Sequence, residues 1–178
     1  MRSRRQGVSS IADVFLPTRT VLLSTGIAIS FSLLIGLSAQ VAIRLPFTPV
    51  PITGQTFAVL LTGAVLGCRL SALALMFYLL EGASGLPVFA NASGGIWHLA
   101  GPTGGYLFGF LLAAMAVGWL AERGWDRRFS KALLAMTVGE VLIYASGLAW
   151  LAHFVPGNSL LTVGLTPFLP GDAAKLLL

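Results

Sequence analysis

Residues 21–43 read VLLSTGIAISFSLLIGLSAQVAI, a run without a single charge that is closed by Arg44 and then by Pro46-Phe47-Thr48-Pro49-Val50-Pro51. Crossing the hydrocarbon core of a bilayer takes about 20 apolar residues in a helix, so this run is long enough to span. The prolines end it, because each lacks an N–H and fixes φ. The basic start MRSRRQ ahead of it has the look of a secretory signal. The run is too long for that, no A-x-A pattern closes it, and more apolar segments follow. It is the first of several membrane spans.

The rest of the composition agrees. Of 178 residues, 56% are hydrophobic and 10% charged, against about 25% charged in an ordinary soluble domain. Mean hydropathy is +0.88. A soluble enzyme is excluded on these grounds. The length suits about five or six spans with short connections, which leaves no room among them for an ATP-binding domain. The expected architecture is a single all-α transmembrane domain over residues 1–178, with 1–20 as a basic cytoplasmic N-terminus. Cys68 is the only cysteine, so no internal disulfide or cysteine-based metal site is expected.

Six segments are expected. The first covers about 21–44. The second and third, about 53–67 and 70–82, fall below span length and should be tilted, re-entrant or buried among neighbours. Between Gly82 and Gly105 lie seven glycines, two prolines, Asn91 and His98 among large apolar residues. Non-helical backbone of that kind is tolerable at a bilayer only where it lines a cavity. The fourth and fifth segments cover about 104–121 and 132–154, joined by the charged stretch Glu122 to Lys131. After Pro156-Gly157-Asn158 and Pro167-Phe168-Leu169-Pro170, Gly171 opens a sixth segment. Its eight residues make only about 12 Å of helix, so that segment is expected to be truncated.

With the N-terminus inside, nine of the eleven basic residues fall on the cytoplasmic face: Arg2, Arg4, Arg5, Arg19, Arg69, Arg123, Arg127, Arg128 and Lys131. Arg44 is left at the outer edge and Lys175 inside the last segment. Cytoplasmic loops collect Lys and Arg, so N-in, C-in topology is expected, with the long connections 45–54, 82–103 and 155–171 outside. The net charge of +5 is thereby explained without nucleic acid.

Ionisable groups in spans point to function, because each costs about 2.5–3.5 kcal/mol at a helix centre. Asp172 and Lys175, three apart, share a helix face. They either neutralise one another in a ligand pocket or serve as a first-turn acid and a snorkelling lysine. Glu140, one turn from Tyr144, and Glu81, beside Gly82, each have a structural reading as well as a functional one. Gln55 and Asn91 are neutral donors and acceptors that suit either a ligand or the loop backbone. His98 and His153 lie far apart, with no H-E-x-x-H, and 101–105 lacks the Lys-Ser/Thr of a phosphate loop, so no metal, cofactor or catalytic apparatus is expected. Ala28, Ser32 and Gly36, four apart, put small residues on one face of the first span. Such a stripe admits another helix closely, either from this chain or from a separate membrane subunit. The four tryptophans suit interfacial anchoring.

Four outer motifs occur in order: PFTPVPITGQT (46–56), GLPVFA (85–90), GPTGGYLFGF (101–110) and PFLPGDAAK (167–175). In this order and spacing they resemble the BioY family, the biotin-binding substrate subunits (S components) of energy-coupling factor transporters, from about residue 20 to the end. The resemblance implies a six-helix bundle in the bacterial plasma (inner) membrane with a vitamin site near the outer face, roofed by loops. It places biotin contacts at Asp172 and Lys175, in the family's Gly-Asp-x-x-Lys motif, and at Asn91, with Gln55 a further candidate. Phe89, Trp97 and Tyr106 are expected to wall the thiophane ring and chain. A carboxylate with a cationic or amide donor complements the two N–H groups and the carbonyl of a ureido ring. Arg44 is available for the valerate carboxylate, although no motif supports it.

The implied partners are a transmembrane coupling subunit and two ATPase subunits that energise uptake. The Ala28/Ser32/Gly36 face is the expected contact with the coupling subunit. The rival readings are an S component for another vitamin such as riboflavin or thiamine, a small intramembrane enzyme using Glu140 and a histidine, and a purely structural subunit.

Overall fold

The computed structural model describes residues 20–169 and 171. Asp172, Lys175, the basic N-terminal residues and the sixth segment beyond Gly171 lie outside the described residues.

Helix α1, Val21–Gln40, starts where the Thr20 hydroxyl accepts the Leu23 N–H at 3.3 Å, an N-cap that occupies one orphan donor of the first turn. It stops four residues short of the expected end. Ala42–Ile43 (β1) instead pairs antiparallel with Ile52–Thr53 (β2), Ala42 opposite Thr53 and Ile43 opposite Ile52. This short ladder pinches the proline-rich segment 44–51 into a hairpin.

Helix α2, Gln55–Ala83, contains both the second and third segments, with non-helical backbone at Gly67 (φ 77°, ψ 176°). A straight helix would hold Gln55 and Tyr78 about 35 Å apart, yet the Gln55 side-chain amide donates to the Tyr78 hydroxyl. The chain therefore reverses at Gly67 with no intervening loop, and 55–66 and 68–83 run back to back. The left-handed φ there is open to glycine at no steric cost. The expected two-residue gap at 68–69 is replaced by this one position, the last residue of the expected second segment. The first N–H of the returning half, at Cys68, donates to Glu122 Oε1 at 2.8 Å, an acid at the positive end of a helix.

Helix α4, Gly104–Ala121, packs against both α2 and α5, Phe129–Leu151. α5 begins three residues earlier than expected, since Lys131 fits in its first turn with the ammonium free to reach polar surroundings. Gly118 faces the backbone of Gly67 and Cys68, and Gly63 faces the Ala114 carbonyl, so these crossings are close enough that no side chain fits between. Two short helices lie in the connections, α3 at Ile96–Ala100 and α6 at Leu160–Gly164.

Among the described residues, four helices are long and apolar enough to cross a membrane. With α2 doubled back, they make five apolar helical segments. The chain is a multi-pass membrane protein. The long connections meet at one end of the bundle, where Thr48 Oγ1 donates to Val163 O at 2.6 Å and Tyr106 donates to Gly164 O at 2.7 Å. The Gly67 reversal and the 122–128 connection lie at the other end.

The small-residue stripe is filled from within. Ala28 is fully buried against Leu66, Leu70 and Ala74 of α2, Ser32 donates to Glu81, and Gly36 faces Val88. The expected partner face is thus an intramolecular seam. The exposed apolar side of α1 is formed by residues such as Leu33 and Leu37.

Candidate functional site

A cavity of about 380 Å³ opens at the loop end, lined by Arg44, Leu45, Thr48, Pro49, Pro51, Ala90, Asn91, Ser93, His98 and Thr103. It lies within the range of small-molecule sites, about 300–1,000 Å³. One wall is the hairpin 44–51 and the other is the Gly-rich connection, where apolar non-helical backbone demanded a cavity.

The loop bearing Asn91 is tightly built. Phe89 N–H donates to Ser93 O at 3.0 Å, and Gly95 N–H donates to Gly82 O at 2.7 Å. Asn91 and Ala92 between them both take left-handed backbone, φ 59° and 54°. Asn tolerates that region; for Ala it costs about 1–2 kcal/mol. What holds the turn is Gln40, at the last position of α1. Its Oε1 accepts the Ala92 N–H at 2.9 Å, and its Nε2 donates to Gly36 O at 2.9 Å, with longer contacts of 3.3 Å to Phe89 O and 3.4 Å to Pro87 O.

Below the cavity, the buried Phe89 ring stands edge-on to Tyr78 and stacks on His98, with centroids 5.1 Å apart and planes at 23°. His98 Nε2 lies 3.3 Å from Thr103 Oγ1. Partial burial lowers the His98 pKa, which favours a neutral imidazole able to donate or accept. The described lining thus consists of neutral polar groups, proline and aliphatic surface, and one permanent cation, Arg44.

Of the residues expected at a site, Asn91 lines this cavity and Phe89 supports it from beneath. Gln55 is 3% exposed and is engaged with Tyr78 rather than with the cavity. Tyr106 lines a second, smaller recess of about 50 Å³ that shares Pro51 with the first and is otherwise mostly apolar, with Phe110, Ile143, Tyr144 and Phe168. Trp97 is 85% exposed and does not line the cavity; its neighbour His98 does. Asp172 and Lys175 lie outside the described residues. Glu140 is buried in α5 and away from the cavity lining.

Sequence reasoning passed over Gln40, Thr48, Ser93 and Thr103, and gave His98 no ligand role. Gln40 did carry a trace: it extends the four-residue spacing of Ala28, Ser32 and Gly36 by one more turn, and so lies on the seam that meets the loop.

Comparison with known proteins agrees with this geometry. The chain is 44% identical over 147 residues to a biotin transporter BioY of Thermotoga maritima, covering 82% of this chain and 85% of that protein. It is 37% identical over 168 residues to a biotin transporter BioY of Rhizobium etli, covering 90% and 88%. The crystal structure of an S-component for biotin from an ECF-type ABC transporter superposes with a TM-score of 0.80 at 23% identity, covering 90% of this chain and 89% of that one. That likeness establishes the fold. The profile of the BioY family matches residues 10–178, and the chain belongs to the BioY family.

Proposed function

We propose that this chain binds biotin at the loop-end cavity and carries it into the cell as the substrate-binding subunit of an energy-coupling factor transporter in the plasma membrane. The observation that carries the reading is the cavity itself. A pocket of about 380 Å³ with Asn91 and other neutral polar groups along its lining suits a ureido ring, which presents two N–H donors and one carbonyl. The family's relatives that are named as biotin transporters support the choice of ligand. In this reading the N-terminus is cytoplasmic, the cavity faces outward, and a coupling subunit and ATPase subunits supply the energy. Asp172 and Lys175 complete the head-group site, Asn91 contacts the ring, and Gln55, through Tyr78, braces the wall beneath.

The test is equilibrium binding of biotin to the purified full chain beside Asp172→Asn and Lys175→Ala, with riboflavin and thiamine as controls. Losing a charge-assisted hydrogen bond to the ligand costs about 1.5–3 kcal/mol, so each variant should bind biotin about 10- to 150-fold more weakly. Tight binding of riboflavin or thiamine in place of biotin would reassign the substrate. Biotin binding unaffected by both substitutions would remove the head-group assignment.

A further inference from the structure

The distribution of positive charge carries one inference beyond the vitamin's head group. Among the described residues, Arg69, Arg123, Arg127, Arg128 and Lys131 all lie at the Gly67 end of the bundle, and Arg44 alone lies at the loop end. The clustered five follow the general bias of membrane proteins toward cations on one side. Arg44 runs against it and so needs a reason of its own.

The local setting supplies that reason. Arg44 follows directly on the β1 strand, whose pairing with β2 fixes the backbone from which it projects. The far side of the same hairpin is tied down by Thr48 through its bond to Val163 O. Arg44 lines the cavity, and no carboxylate of the described residues lines it with Arg44. Among those residues Arg44 has no hydrogen-bond or ion-pair partner. The other polar lining groups, Thr48, Asn91, Ser93, His98 and Thr103, are neutral hydroxyls, an amide and an imidazole whose pKa burial lowers. The cavity is thus polar and uncharged over most of its described wall, with a single guanidinium on the hairpin side. A guanidinium presents paired N–H donors that match a carboxylate.

We infer that Arg44 is the counter-ion of the ligand's acidic end, so that the site selects a monocarboxylate whose opposite end is neutral and polar. This rests on the biotin reading, in which the acidic end is the valerate carboxylate.

The experiment compares biotin with biotin amide, its neutral carboxamide, on the full-length protein in detergent or nanodiscs, for wild type, Arg44→Gln and Arg44→Lys. Arg44 is solvent-facing, so the pair is partly screened and the expected preference for the acid over the amide is about five- to tenfold. In Arg44→Gln that preference should vanish through weaker biotin binding alone, with the affinity for biotin amide unchanged. Arg44→Lys should keep part of it. Wild-type biotin affinity should also fall with added salt, while Arg44→Gln responds little. If Arg44→Gln keeps the wild-type preference for the acid, the carboxylate is held elsewhere and the inference is overturned. If Arg44→Gln weakens acid and amide equally, Arg44 shapes the hairpin only, and the inference is likewise overturned. If wild type binds neither compound, the biotin reading falls and takes this inference with it. Biotin bound without discrimination overturns the inference alone.

Discussion

Removing the Gln40 side chain tests whether the Asn91 loop is held by α1 or by its own backbone. In Gln40→Ala the bond from Ala92 N–H, 2.9 Å long, is lost together with the long contacts to Phe89 O and Pro87 O. The bond to Gly36 O lies within α1 and does not bear on the loop. A good hydrogen bond contributes about 1 kcal/mol net, and two contacts at the distance limit that share one nitrogen add about half of that. The turn that Gln40 secures carries the strain of left-handed Ala92, about 1 kcal/mol or more. Losing about 1.5 kcal/mol therefore moves the loop equilibrium up to about tenfold away from the turn that presents Asn91. Apparent affinity falls by the same fraction. Biotin binding measured by equilibrium dialysis should weaken by that factor while the thermal midpoint barely moves, because Gln40 is exposed. Adding Ala92→Gly to Gln40→Ala should recover about fivefold, since glycine takes φ > 0 without penalty. Wild-type affinity in Gln40→Ala would refute the reasoning, as would a double variant no better than the single one.

Two further outcomes follow from other contacts. His98 has its pKa lowered from the ordinary 6.5 by burial, so as pH falls through about 6.5 the unfolded chain takes up a proton that the folded chain refuses. Its contribution is complete above that pH and is lost below it, so the thermal midpoint should drop between about pH 8 and about pH 5, and less so in His98→Gln; equal drops in both would dismiss the assignment. A methyl on Gly118 would lie 2.6 Å from the Cys68 nitrogen, backbone that cannot swing aside. Gly118→Ala should therefore destabilise the bundle by about 1–3 kcal/mol, while the protein that still folds binds biotin normally, since the site is at the far end. An unchanged thermal midpoint would show that the crossing has slack.

The spans were legible because apolar runs and prolines speak locally. The Val21 run and the 46–51 prolines mark α1 and the connection after it without any knowledge of the fold. The join between the second and third segments was expected at 68–69, and the reversal falls one residue earlier, at Gly67. That the two segments turn back with no loop between them was not legible, because a reversal at a single glycine leaves no polar stretch to read. The small-residue stripe was legible as a contact and illegible as to its partner, because a face of Ala, Ser and Gly receives any close helix alike. Only the structure brings Leu66, Leu70 and Ala74 onto it. The site divides in the same way. Asn91 was found through the resemblance of its motif. Trp97 was expected in the wall, and its neighbour His98 is there instead. Adjacent residues on a helix point about 100° apart, so the choice between them depends on where α3 starts, and that is fixed by the φ of 96° at Gly95. No periodicity can be read from a helix of five residues.

The cavity end also shows how irregular backbone is made tolerable at a bilayer surface. Each connection that frames it gives up carbonyls or N–H groups that no helix satisfies, and each is met by a side chain from elsewhere in the fold. Gln40 takes the 87–92 turn, Trp150 donates its indole N–H to Gly101 O at 2.9 Å, and Tyr106 and Thr48 donate to Gly164 O and Val163 O. Three of these four groups project from long helices, and they anchor the 84–103 and 152–169 connections to the bundle. Thr48 is different, because it belongs to the hairpin itself and joins one connection to another. Among the described residues, the 44–51 segment is fixed by a two-residue ladder at its base, by the Thr48 hydroxyl at its tip and by Val50 buried in the core. The physical division of labour is between a wall held by helices, which carries Asn91 and His98, and a wall held by a short strand ladder and the Thr48 hydroxyl, which carries Arg44.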